Sequence, residues 1–183
     1  MKRFLTVALP ALPAPAMAHG LHDSGTFMAG ALHPAGGPDH VLAMIAVGLL
    51  AAQLAGRALW LLPTTFVTAM LLGGGVGAAG LPFPAVEPMI LASIVILGVL
   101  LVLAFPLPLP ALVAMVGVFG TAHGWAHGAE GPSSGLALYA AGFVGATAVL
   151  HVVGIGLGRL LSVLALRGLG AGAAVAGLAL AVV

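Results

Sequence analysis

Leu32-His33-Pro34-Ala35-Gly36-Gly37-Pro38-Asp39-His40-Val41-Leu42-Ala43-Met44 interrupts the first long apolar stretch of the chain, near residues 26 to 56. Two prolines and two glycines within five positions do not fit a continuous helix, because proline lacks the amide donor and glycine loses the most entropy on ordering. The stretch therefore predicts a half-helix, a break, and a second helix restarting near Pro38. Proline suits the first turn of that restart, and Asp39 falls close to the positive end of the helix dipole. Unwound backbone at membrane depth is tolerated only where it faces protein or a watery cavity. Discontinuous helices of this kind form the substrate sites of many transporters, and His33, Asp39 and His40 lie at the break.

Outward from this segment the chain reads as an all-α integral membrane protein. Of its 183 residues, 62% are hydrophobic and only 5% charged, five Lys+Arg against four Asp+Glu. A soluble domain carries about 25% charged residues, so a water-facing surface cannot be built. An ordinary cytosolic enzyme and a disordered chain are excluded. So is a nucleic-acid binder, which needs a basic stripe to neutralise phosphates. A helical span takes about 20 residues, and Gly/Pro clusters divide the chain into six, near 26 to 56, 58 to 79, 87 to 105, 109 to 128, 135 to 158 and 161 to 183. The last is the weakest, with Gly168, Gly170, Gly172 and Gly177, although small residues also permit close packing. With zero Cys no disulfide or thiolate metal site exists, and no phosphate-cradling Gly-rich run is present.

The opening residues have the grammar of a cleavable signal peptide: basic Lys2 and Arg3, a short apolar stretch broken by Pro10, Pro13 and Pro15, then Ala16-Met17-Ala18. The expected organisation is a signal peptide over 1–18 and a six-helix permease domain over 19–183, its mature N-terminus in the periplasm. Arg57, Arg159 and Arg167 then fall beside cytoplasmic connections, as the positive-inside rule requires, while the outer connections contain Glu87, Glu130 and no cations. Six spans also divide into two sets of three with opposite orientation, the arrangement of a 3+3 inverted repeat with the site between the halves.

A second cluster ends the fourth span: His123-Gly124-Trp125-Ala126-His127-Gly128-Ala129-Glu130. His123 and His127 share a helical face one turn apart, and Glu130 continues the stripe. Paired imidazoles chelate borderline-soft divalent cations, and a carboxylate completes the site or orients an imidazole. Ionisable groups inside a membrane are costly and mark pathways. His33, Asp39, His40, His123, His127 and Glu130 are therefore the expected metal-handling residues. His151 stands alone in the fifth span, nearer the inner side, and reads either as a deeper relay ligand or as a structural imidazole bonded to a helix carbonyl. Glu87 either lines the outer vestibule or is a solvated carboxylate at a helix N-terminus. His19 and His22, with Asp23, form either a metal catch at the mature N-terminus or part of a disordered end.

The strings His33 to Gly48, Val86-Glu87 with Ser93 to Gly98, and His123 to Glu130 resemble the HupE/UreJ family of nickel permeases over nearly the whole mature chain. The resemblance implies a small secondary permease of the bacterial inner membrane that feeds nickel to hydrogenase or urease maturation. It also implies functional roles for His33, Asp39, His40, His123, His127 and Glu130. Pro38 departs from the bulkier residue often found there in the family. Some relatives are associated with cobalt, so the expected cargo is Ni²⁺ with Co²⁺ as the alternative, and no resident cofactor is expected. Two other classes compete: an intramembrane metal-dependent enzyme with Glu130 as base, for which no His-Glu-x-x-His is present, and a non-transporting subunit of a hydrogenase-like complex.

Overall fold

The computed structural model describes residues 26–105 and 107–182. The expected signal peptide, His19 and His22 lie outside the described residues. Within them the chain is helical: α1 (Phe27–Leu32), a 3-10 turn (His33–Gly36), α2 (Pro38–Leu54), α3 (Ala58–Ala78), α4 (Val86–Leu103), α5 (Leu109–Ala129), α6 (Leu136–Leu160) and α7 (Val163–Leu180). Five of these helices are long and apolar enough to cross a membrane, and the number is six if α1 with its turn and α2, which form a bent pair, are counted as one broken span. The described residues thus form a multi-pass helical bundle joined by short connections.

The break falls where the prolines and glycines put it, but the first stretch is not one interrupted rod. The segment Phe27–Gly36 is turned 91° from α2. It lies against α6, where the bare Cα of Gly30 meets the Tyr139 carbonyl and that of Gly142 meets Phe27. Thr26 caps α1 by accepting from the Ala29 amide at 3.1 Å. Pro34 is buried in the turn, Gly37 is extended at φ −120°, and Pro38 occupies the first turn of α2 as expected. At about 1.5 Å per residue, the 17 residues of α2 reach about 26 Å and supply most of this crossing by themselves.

Three helix pairs pack most extensively: α3 with α5, α2 with α6, and α4 with α7. Each is a close crossing through glycine. In α2 and α6, Gly48 faces the His151 carbonyl and Gly154 faces the Ile45 carbonyl. In α4 and α7, Gly98 and Gly170 face each other's carbonyls and Gly177 faces Ile94 and Val95, so two of the four glycines that make the last span look weak help to seat it, while Gly168 and Gly172 face open space. Without a hydrophobic drive between helices in lipid, such backbone approach is the main source of association. Among the described residues, the arginines and acids segregate by bundle end. Arg57 and Arg159 lie at the junctions α2–α3 and α6–α7 with Arg167 close by, whereas Asp39, Glu87 and Glu130 belong to the opposite ends of α2, α4 and α5.

Candidate metal centre

The 3-10 turn, the start of α2 and the end of α5 meet at one place, and four of the chain's seven histidines gather there. His33 Nε2 and His127 Nδ1 share a proton across 2.8 Å. The His40 ring lies 4.4 Å between centroids from His127, tilted by 58°, and 4.9 Å from His123, edge-to-face. A break in one helix is what permits this: His33 comes from the segment before the bend and His40 from the segment after it.

Each ring is tied at one nitrogen. Asp39 Oδ1 accepts from the His40 amide at 2.9 Å and pairs with His40 Nδ1 at 2.8 Å, so a carboxylate holds that nitrogen as the N–H. Ser93 on α4 donates its single hydroxyl proton to the Ile90 carbonyl at 2.6 Å. Its oxygen, 3.0 Å from His123 Nε2, therefore accepts, which makes Nε2 the protonated nitrogen of His123. On the far side of each ring, His40 Nε2, His123 Nδ1 and His127 Nε2 are buried without a hydrogen-bond partner. For His40 and His123 these open nitrogens carry the lone pair. A carboxylate or hydroxyl that fixes the tautomer of an imidazole and leaves its other nitrogen bare is the arrangement found behind metal-ligating histidines.

Burial differs between the contributors. His123 is fully buried and His127 nearly so, whereas the side chains of His40 and Asp39 are 13% and 22% exposed. Tyr139 and Phe143 on α6 wall the outer side, with Phe143 4.2 Å from the His127 ring and Tyr139 5.5 Å from His33. An apolar cavity of about 450 Å³ between α3, α5 and α6 reaches His127 past Met70, Tyr139 and Phe143. Among the described residues, no three His, Asp or Glu side chains already converge at metal-holding geometry. The rings pack on one another instead.

The expected residues thus divide. His33, Asp39, His40, His123 and His127 are brought together. Glu130 follows α5 as its exposed C-terminal cap, and its carboxylate is within electrostatic reach of Tyr139. Glu87 is exposed in the first turn of α4. His151 is buried on α6 against Phe66, apart from the cluster. Phe66 and Phe143 had no role in the sequence reading, and Ser93 entered it only as the start of a string that resembles the family. Ser93 had a visible signal, as a hydroxyl inside an otherwise apolar helix, but its partner is on another helix and nothing local announces it.

The HupE / UreJ protein family model matches residues 7–180. The chain belongs to the HupE/UreJ family. Over 160 residues it is 44% identical to Protein HupE of Rhizobium leguminosarum bv. viciae, covering 85% of this chain and 83% of that protein. No solved structure matches. Membership places the chain in a transporter-type membrane protein family, associated broadly with nickel and cobalt, and not among enzymes. The intramembrane enzyme weighed above is thereby set aside.

Proposed function

We propose that this HupE/UreJ protein is a secondary transporter or facilitator that takes Ni²⁺ across the bacterial inner membrane. Its entry site comprises His33, Asp39, His40, His123 and His127, with Glu130 at the mouth. One observation carries the reading: three adjacent imidazoles, each fastened at one nitrogen, leave His40 Nε2, His123 Nδ1 and His127 Nε2 buried and open. Imidazole donors suit late first-row divalent ions, and the Asp39 carboxylate offsets the incoming charge. Ligand type alone does not choose among Ni²⁺, Co²⁺, Zn²⁺ and Cu²⁺, so selectivity falls to geometry and supply.

The membrane potential suffices as a driving force. A dication entering the cell gains about 4.6 kcal/mol per 100 mV, twice the single-charge value, or roughly three decades of accumulation. The reading includes cleavage after Ala18 and a mature N-terminus in the periplasm, an orientation supported by Arg57, Arg159 and Arg167 at one bundle end. An inverted repeat is supported by the packing. Exchanging α2, α3 and α4 for α5, α6 and α7 turns the α3–α5 pair into α6–α2 and leaves α4–α7 unchanged, so the three dominant pairs map onto themselves.

Labelled Ni²⁺ uptake by cells expressing the chain, with unlabelled Ni²⁺, Co²⁺, Zn²⁺ or Cu²⁺ added in turn, tests the reading. Uptake that needs His40 and is blocked best by Ni²⁺ supports it. Preferential block by Co²⁺ reassigns the cargo to cobalt. No metal uptake above the empty host rejects transport and favours a non-transporting subunit.

A further inference from the structure

His151 lies on α6 with 1% of its surface exposed, and both ring nitrogens are buried without a hydrogen-bond partner. The structural alternative raised by the sequence, an imidazole bonded to a helix carbonyl, is therefore not what holds it. A neutral imidazole always carries one N–H donor and one lone pair, and buried polar atoms in folded proteins are overwhelmingly paired. An imidazole open at both nitrogens in an apolar bundle calls for a ligand.

Its surroundings point to which one. The Phe66 ring on α3 stands edge-to-face against His151 at 5.3 Å and tilts against His123 at 5.5 Å. One phenyl ring thus separates His151 from the innermost imidazole of the outer cluster, whose Nδ1 is also open. One turn along the same two helices, the Thr147 hydroxyl donates to the Met70 thioether at 3.8 Å, and both residues are buried. Met70 also lines the cavity that reaches His127. Imidazole, thioether and phenyl face are groups that accept a soft or partly desolvated cation. The backbone beneath is fixed, because Gly48 of α2 packs directly on the His151 carbonyl.

We propose that His151 is a second, inner station for the same divalent cation, reached from the outer cluster past the Phe66 ring, with Met70 and Thr147 alongside. The inference rests on the outer histidines being an entry site for metal. Two stations with a phenyl partition between them let an ion advance by ligand exchange, one imidazole replacing another, while no continuous water column is required. His151 contributes no donor to the outer cluster, so it governs movement inward and not capture.

The test uses the purified full-length protein with Ni²⁺ alone, by equilibrium dialysis, and the same variants in proteoliposomes for uptake. The wild type should bind two ions per chain, the second weakly. His40→Ala/His127→Ala should keep only the weak ion, and adding His151→Ala should remove it. His151→Ala alone should retain the tighter ion while initial uptake falls by about tenfold or more. His151→Gln guards against a misfolded alanine variant: monodisperse and as heat-stable as wild type, it should still lack the weak ion. Persistence of that ion in the triple variant overturns the inner station, as does wild-type uptake by the folded His151→Gln protein. Loss of both ions from His151→Ala places His151 in the outer site and also overturns it. If instead His40→Ala/His127→Ala keeps the tighter ion and full uptake, the outer-site reading fails, whatever His151 does.

Discussion

The start of α2 and the end of α5 deliver histidines to the same point by opposite means. α2 begins after a 91° bend, so its donors come from two segments, His33 before the break and His40 after it. They are partly exposed and carry a carboxylate with them. α5 is continuous to Ala129, and its two histidines stand one turn apart and deeply buried. The broken helix thus supplies reach and negative charge, and the intact one supplies fixed spacing and depth. Neither alone offers more than two imidazoles, so a cation that prefers a high coordination number needs both. The His33–His127 and His40–His127 contacts are where the two halves are joined.

The strongest way to break this comparison is to remove one imidazole from each side. His40→Ala and His127→Ala should each reduce Ni²⁺ uptake by about 50-fold or more, and the double variant should be within about twofold of either, because residues acting as one unit are non-additive. Uptake assays at matched membrane levels decide it. Independent sites would instead give single variants that each retain substantial transport and effects that multiply.

Asp39→Asn strikes only the α2 side. It preserves shape but removes the charge and replaces the carboxylate that holds His40 Nδ1 at 2.8 Å with an amide. Partners behind metal-ligating imidazoles are worth about 10- to 100-fold in affinity. The apparent affinity for Ni²⁺ should therefore weaken by at least about tenfold, measured as a rise in the half-saturating concentration for uptake. An unchanged value would mean that α2 contributes no charge to the site.

The two regions also differ in how far they were legible beforehand. Pro34, Gly36, Gly37 and Pro38 spell a break in any surroundings, because each acts on its own backbone, and the restart of α2 at Pro38 followed directly. His123 and His127 read as a pair because helical spacing is local too. The right angle at the break was not legible, since it depends on α1 lying against α6 through Gly30 and Gly142. Nor were the contacts of Ser93 and Phe66. In a chain that is 62% hydrophobic, nearly every helix face is apolar, and hydrophobic periodicity no longer says which faces meet. The same blindness affected Glu130, which continues the His stripe in sequence yet ends as an exposed cap once α5 stops at Ala129.

A smaller effect should come from Ser93→Ala, which loosens the α5 side without touching a donor. The hydroxyl fixes His123 through one neutral hydrogen bond, worth about 1 kcal/mol, so Ni²⁺ affinity should fall by about fivefold. The loss should vanish in a His123→Ala background, because the serine acts only through that ring. A Ser93→Ala effect that survives there would show that the hydroxyl meets the ion directly.

Pro38→Ala is the mildest change and sharpens the comparison most. If the break works by geometry alone, the restart needs only a residue that tolerates the first helical turn, and alanine does. Proline there chiefly reduces the freedom of the unfolded chain, an effect of about 0.4 to 1 kcal/mol. The variant should melt slightly earlier in detergent and transport Ni²⁺ within about twofold of wild type, since the 91° bend is also held by Gly37 and by the packing of α1 on α6. A folded Pro38→Ala protein with no uptake would show that Gly37 and the α1–α6 contact are insufficient, and that proline itself keeps α2 from extending back through the break and carrying His33 away from His127.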